Sequence, residues 1–275
     1  MRAASTAIFL AATMGLHSGA AAAADSALHR QLERVAAERV FFAHQSVGQN
    51  LLEGLARIAD EQGVPLHIED LRIPENGDPL RKLRNFERDV DERGGALDVA
   101  MLKFCYVDIG EDTDVPALFE QYRATLRRLQ VRHPRIAFVH VTVPLTVAQE
   151  GVKAFAKRLL GRHPYGTVEN LKREEYNALL RAAYLGREPV FDLARVESVA
   201  PDGRPVSVTW KGRSAPALAP QYSADGAHLN AAGKEAGARE LLRVLAAAGP
   251  AASPTGPGGW SARQAATNGA SAGGS

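Results

Sequence analysis

Val40-Phe41-Phe42-Ala43-His44-Gln45-Ser46-Val47-Gly48 is the stretch that decides the fold. Its first four residues are too few and too uniformly apolar for an amphipathic helix, and they predict a buried parallel strand. Immediately beyond, Leu51, Leu52, Leu55, Ile58 and Ala59 recur at helical spacing as far as Gly63. A strand therefore hands over to a helix, with a serine at the junction.

The same alternation extends outward in both directions. Upstream, residues 26–38 carry Leu28, Leu32 and Val35 on one helical face. Downstream, apolar strands are predicted at 64–68, 97–106, 136–143 and 189–193. Helices are predicted at 81–92, 115–131, 147–160, 169–184 and 231–247, the last ending at Gly249-Pro250. Pro201-Asp202-Gly203-Arg204 signals a turn between 197–199 and 206–210, a hairpin or an irregular excursion. Five strands alternating with helices imply a five-stranded parallel sheet covered on both faces, a flavodoxin-like three-layer α/β/α sandwich. Ligands of such sheets bind beyond the carboxyl ends of the strands, where strand order reverses. Ser46 and residues 103–108 are predicted to meet there.

The 275-residue chain divides into three parts. Residues 1–24, with Arg2, an apolar run and the small residues Ala20 to Ala24, have the pattern of a secretory signal peptide cleaved near Ala24. A membrane anchor would need about 20 unbroken apolar residues; His17 and Ser18 interrupt this run, so no stable span is expected. Residues 249–275 are mostly glycine, alanine, serine and proline, with Trp260 the one large apolar residue, and predict a disordered tail. Residues 25–248 suit one well-cored domain, secreted or periplasmic. Net charge is +2 with both signs interspersed, and short clusters such as Arg127-Arg128 supply no electrostatic reason to expect nucleic acid or an anionic membrane as a partner. Cys105 is the single cysteine, so no internal disulfide forms. It reads as a small buried hydrophobe of the third strand.

Chemistry concentrates in Tyr222-Ser223-Ala224-Asp225-Gly226-Ala227-His228-Leu229-Asn230. An aspartate three residues ahead of a histidine on a glycine turn can hold one imidazole tautomer and leave the other nitrogen free to accept a proton. A serine hydroxyl needs such a base before it becomes a nucleophile. Ser46, His228 and Asp225 are the candidate nucleophile, base and orienting acid. A serine at a helix N-terminus also sits beside free N–H groups that can stabilise an oxyanion.

With the serine early, Asp-x-x-His late and five strands between, the chain resembles the SGNH (GDSL-like) hydrolases, serine esterases and acyltransferases on an α/β/α sandwich. The block from Asp225 to Asn230 before a closing helix matches that family's last motif, and residues 173–180 with Asn177 resemble the helix before its fifth strand. The resemblance implies an acyl-enzyme route for an ester of a small molecule or polysaccharide, with no cofactor and no metal. It departs at two places. His44-Gln45 stands where Gly-Asp usually precedes the serine. The third-strand region, Lys103 to Asp108, lacks the glycine and asparagine that donate to the oxyanion. His44, Gln45, Lys103 and Tyr106 are therefore the candidate oxyanion or substrate contacts.

Competing assignments stand beside these. Ser46 alone could cap its helix. Lys103 could pair with Asp98 or Asp108 instead of facing the crevice. His140 reads as a core histidine, and Asn170 and Asn177 as helix-surface or packing residues. Asp225 and His228 could ligate a metal, but no clustered third ligand accompanies them. The chain could also be a catalytically degenerate module that keeps the fold to bind glycan or a protein partner.

Overall fold

The computed structural model describes the backbone of residues 10–249 and side chains from residue 23 onward. Residues 1–9 of the signal-peptide pattern, and the tail beyond Gly249, lie outside the described residues. In chain order the elements are α1 (Leu10–Ala36), β1 (Val40–His44), α2 (Ser46–Gln62), β2 (Ile68–Arg72), α3 (Pro79–Arg93), β3 (Val99–Leu102), α4 (Val115–Arg132) and β4 (Ala137–Val141). They continue as α5 (Val152–Leu159), α6 (Val168–Tyr184), β5 (Val190–Phe191), α7 (Leu193–Glu197), β6 (Ser207–Trp210), β7 (Arg213–Pro216) and α8 (Ala231–Ala248). No helix among the described residues is long and apolar enough to cross a membrane.

The protein is a three-layer α/β/α sandwich on a five-stranded parallel sheet of order β2-β1-β3-β4-β5. Period-two alternation sorts the central side chains between the faces. Val40 and Phe42 of β1 pack with Val99, Met101, Val139 and Val141 against α1, α2 and α8. Phe41 and Ala43 pack with Ala100, Leu102 and Phe138 against α3, α4 and α6. Strand order reverses at β1, because β2 lies on one side of it and β3 on the other. The end of β1, where Ser46 begins α2, is thus at the switch point.

Two helices of one face are joined closely. A Cβ on Gly54 of α2 would lie 2.4 Å from the carbonyl oxygen of Lys234 in α8, and one on Gly237 would lie 2.5 Å from Leu51 Cδ2. Only a missing side chain permits this approach. It brings the N-terminal end of α8, and the turn before it, against the N-terminal half of α2.

Several elements depart from sequence expectation. The predicted helix 26–38 is the end of the longer α1, which continues through the alanine run, a strong helix-forming composition. The second strand is Ile68–Arg72 rather than 64–68. As an edge strand it pairs only with β1 and keeps its acidic residues in water, so apolar content misplaces it. The third strand ends at Leu102, short of Tyr106, because Asp108 accepts the Cys105 N–H at 2.6 Å and closes a 3-10 turn, Tyr106–Asp108. Cys105 is buried but caps that turn instead of lying in the strand. Strand 189–193 shortens to β5 because Asp192 caps α7. Helix 147–160 shortens to α5, since residues 142–150 form an irregular strap. The hairpin forms between β6 and β7, across Lys211-Gly212, and the 201–204 turn closes a separate bridge between Val199 and Pro205.

Candidate active site

Ser46 is the first residue of α2, directly after Gln45, which holds the capping position with extended backbone and no side-chain cap bond. The serine hydroxyl is therefore not the helix cap. It lies 3.0 Å from His228 Nε2, across 182 residues of sequence. His228 Nδ1 lies 2.6 Å from Asp225 Oδ2. A carboxylate accepts, so Nδ1 carries the proton and Nε2 presents its lone pair to the Ser46 hydroxyl.

The turn that carries the pair is self-supporting. Asp225 Oδ1 accepts the N–H groups of Ala227 at 2.9 Å and His228 at 2.8 Å, leaving Oδ2 for the imidazole. The backbone N–H of His228, then its imidazole and the N–H of Ala227, hold the Asp225 carboxyl well below the usual carboxylate range. Ser223 Oγ accepts the Gly226 N–H and donates to the His228 carbonyl at 2.6 Å. Gly226 adopts φ 87°, a left-handed conformation that favours glycine. Asn50 Oδ1 accepts the Leu229 N–H at 3.0 Å, tying α2 directly to this turn.

A second support comes from the strap after β4. Asn177 brackets Val143 through both amide atoms, and Asn170 brackets Thr146 in the same way. Both asparagines are thus packing residues of α6. Arg173, on the same helix face, donates to Thr146 Oγ1 and Asn170 Oδ1 at 2.8 Å and to the Tyr106 carbonyl at 2.9 Å. Buried Glu197 accepts the Leu145 N–H at 2.7 Å. Within the strap the Val147 N–H bonds to the Gly226 carbonyl at 2.8 Å, one residue from Asp225.

The four candidate oxyanion or substrate contacts separate. Tyr106 reaches the site, with its ring 6.1 Å from the His228 ring and edge-on to it. Burial raises its hydroxyl pKa. His44 is wholly buried beneath the serine turn, with Nδ1 2.8 Å from the Gln45 carbonyl and Nε2 3.3 Å from Asp70 Oδ2. Burial lowers its pKa. Gln45 is 4% exposed, and its Nε2 has no hydrogen-bond partner.

Lys103 differs from both assignments made for it. Its side chain is fully enclosed and its ammonium donates to the Phe104 carbonyl at 3.1 Å, so it neither lines an open crevice nor forms the foreseen ion pair. Asp98 is held by Arg39, and Asp108 by Lys82 at 2.8 and 2.6 Å. Burial lowers the Lys103 pKa, while burial raises that of Glu197 to about 8. His140 is a core histidine between Tyr122 and Glu188. Among the described residues, no group of three or more His, Cys, Asp or Glu could hold a metal ion.

No family model matches the chain, and no curated protein does. Solved structures do resemble it. A Streptococcus pneumonia protein provisionally described as a platelet activating factor is 19% identical, with a TM-score of 0.49 over 86% of this chain and 99% of its own. A Slackia heliotrinireducens protein provisionally described as an SGNH hydrolase is 16% identical, with a TM-score of 0.46 over 76% and 99%. The psychrotrophic esterase EstA from Pseudoalteromonas sp. is 8% identical, with a TM-score of 0.46 over 76% and 96%.

Sequence reasoning missed Asn50, Ser223, Arg173 and Glu197. Asn50 stands four residues after Ser46 and Arg173 three after Asn170, so helical spacing could have grouped each with a partner already singled out. Glu197 carried no such signal, because its partner, the Leu145 N–H, comes from a loop 52 residues away.

Proposed function

We propose that this chain is an exported serine esterase that cleaves an acyl ester through an acyl-enzyme, passing the acyl group to water or to another hydroxyl acceptor. The observation that carries this is the continuous relay from the Ser46 hydroxyl to the His228 imidazole to the Asp225 carboxylate, at 3.0 and 2.6 Å. The Ser46 oxygen attacks the ester carbonyl as its proton passes to His228 Nε2. Asp225 stabilises the resulting imidazolium, which returns the proton to the departing alkoxide. Water, or an acceptor alcohol, then attacks the acyl-enzyme carbonyl as His228 takes its proton; the bond to the Ser46 oxygen breaks, the acid or new ester leaves, and the imidazolium returns the proton to Ser46.

Charge developing on the carbonyl oxygen is met by the first turn of α2, whose N–H groups at Ser46 and Val47 have no carbonyl one turn back. Gln45 is the proposed side-chain donor in place of the missing asparagine. Its support is the buried Nε2 that lacks a partner, next in sequence to the nucleophile. Tyr106 forms one wall beside the imidazole. The signal-peptide pattern favours substrates outside the cytoplasm, acylated glycans and other envelope esters among them.

Labelling with a fluorophosphonate probe tests the proposal. Wild-type protein is expected to label, and Ser46→Ala and His228→Ala to lose labelling. Equal labelling of wild type and Ser46→Ala would refute it, and absence of labelling with retained glycan binding would favour a degenerate binding module.

A further inference from the structure

The excursion between the strap and α6 carries apolar side chains that nothing in the described protein covers. Val152 is 86% exposed, Phe155 66%, Leu159 79% and Leu160 73%. Together with Tyr165 they are five of the ten exposed large hydrophobics among the described residues, so exposure of apolar surface is concentrated here. Scattered singly, such residues need no explanation; gathered on one short helix they mark an interaction surface.

The geometry of α5 defines that surface. At 100° per residue Val152, Phe155 and Leu159 fall on one side and Leu160 near its edge, opposite Ala154, the one buried residue of the helix. Lys153 lies at one border of the ridge and Arg158 at the other, while the half-buried Lys157 falls on the side of Ala154. Lys157 bonds to the neutral amide of Gln149, and among the described residues Lys153, Arg158 and Arg162 form no ion pair. Over residues 150–162 four cationic side chains face a single acid, Glu150. An outward apolar ridge with cations at its margins is the arrangement of a helix that lies in a lipid interface.

The excursion is also anchored beside the candidate site. The Gln149 N–H bonds to the Tyr165 carbonyl at 2.9 Å, closing its base, two residues from Val147 and its bond to Gly226.

We propose that α5 and its flanks dock this protein on an anionic lipid surface, with Phe155 and Leu159 entering the acyl boundary and Lys153, Arg158 and Arg162 meeting the headgroups. A second copy of the chain fits less well, because a two-fold contact would set these cationic segments against each other. Docking does not depend on the esterase chemistry, and its failure would leave that proposal standing.

The test is cosedimentation of the full chain with phosphatidylglycerol–phosphatidylcholine vesicles and with pure phosphatidylcholine vesicles. Partition is expected to favour the anionic vesicles and to weaken with salt. Phe155→Ser/Leu159→Ser is expected to weaken it about tenfold or more, and Lys153→Ala/Arg158→Ala/Arg162→Ala to weaken it by about fivefold per cation removed. All variants retain residues 1–24, so binding by that stretch is common to every sample. Phe155→Trp provides an independent readout, with added tryptophan emission that shifts to the blue and is quenched by brominated lipid. Serine and alanine variants that partition like the wild type, equal partition onto both vesicle types, or added emission in Phe155→Trp that is indifferent to lipid would each overturn the proposal.

Discussion

Replacing Asp225 by asparagine separates orientation from charge in the relay. In the protein Oδ1 accepts two backbone N–H groups and Oδ2 accepts the imidazole. An asparagine has one oxygen, and the two N–H groups require it, since the amide nitrogen would set donor against donor there. The NH2 group then faces His228 Nδ1 and can bond only if that nitrogen is unprotonated. The ring proton moves to Nε2, which now points a donor at Ser46 where a base needs a lone pair. The turn keeps both N–H bonds, to a neutral rather than a charged oxygen, so the stability cost should be about 1 kcal/mol. Activity should fall far more, by about 10⁴-fold in kcat, the size of effect such a tautomer switch has in a serine triad. The assay is hydrolysis of a chromogenic ester alongside the rate of fluorophosphonate labelling, with nitrogen-15 spectra of the histidine rings to read the tautomer. Asp225→Asn turnover within about tenfold of wild type, with Nε2 protonated, would refute the assigned role of Asp225.

Other perturbations follow from the same contacts. Gly48→Ala places a Cβ 2.4 Å from His44 Cβ, an atom near the backbone that cannot swing away. Despite alanine's helix preference it should destabilise by about 1–3 kcal/mol in urea unfolding and slow labelling of Ser46; an increase in stability would show that the turn has slack. Lys82→Met leaves the buried Asp108 carboxylate without its cation, so a loss of about 3–5 kcal/mol is expected by thermal or urea melts, whereas an unchanged melt would mean that the Cys105 and Gly77 N–H groups suffice. Glu197 holds a proton in the folded state up to about pH 8 but loses it near its ordinary pKa of 4.5 when unfolded. The folded state therefore binds more protons between those values, and stability should decline as pH rises from about 4.5 to 8. Glu197→Gln should flatten that decline, with a difference on the order of a few kcal/mol between the two ends; parallel pH profiles for variant and wild type would contradict it. Gln45→Leu should cost about 10²–10³ in kcat with little change in KM if the amide serves the oxyanion, and an equal loss in Ser46→Ala background binding assays would assign it to substrate binding instead.

The layered α/β architecture was legible because central strands buried on both faces are written as continuous apolar runs, as in Val40 to Ala43 and Ile136 to Val141. Helices against them show a 3.6-residue rhythm. The edge strand β2 was misplaced because an edge needs no such run. Loop-closing contacts hid the ends of β3, β5 and α5, because a carboxylate such as Asp108 or Asp192 stops a strand through a bond to backbone that no local pattern records.

At the site, Asp225 and His228 could be linked from sequence because their contact spans one turn of chain. What composition and spacing determined by themselves were the layer order, the strand-to-helix position of Ser46 and the Asp225–His228 unit. Tertiary structure alone decided that Ser46 meets His228, through the close seam of α2 on α8 at Gly54 and Gly237. It also decided that Lys103 is enclosed, that Lys82 claims Asp108, and that Asn170, Arg173 and Glu197 brace a strap behind the turn. The physical reason is range: periodicity reports burial along one element, whereas an ion pair or a hydroxyl–imidazole contact depends on which distant element packing has carried within about 3 Å.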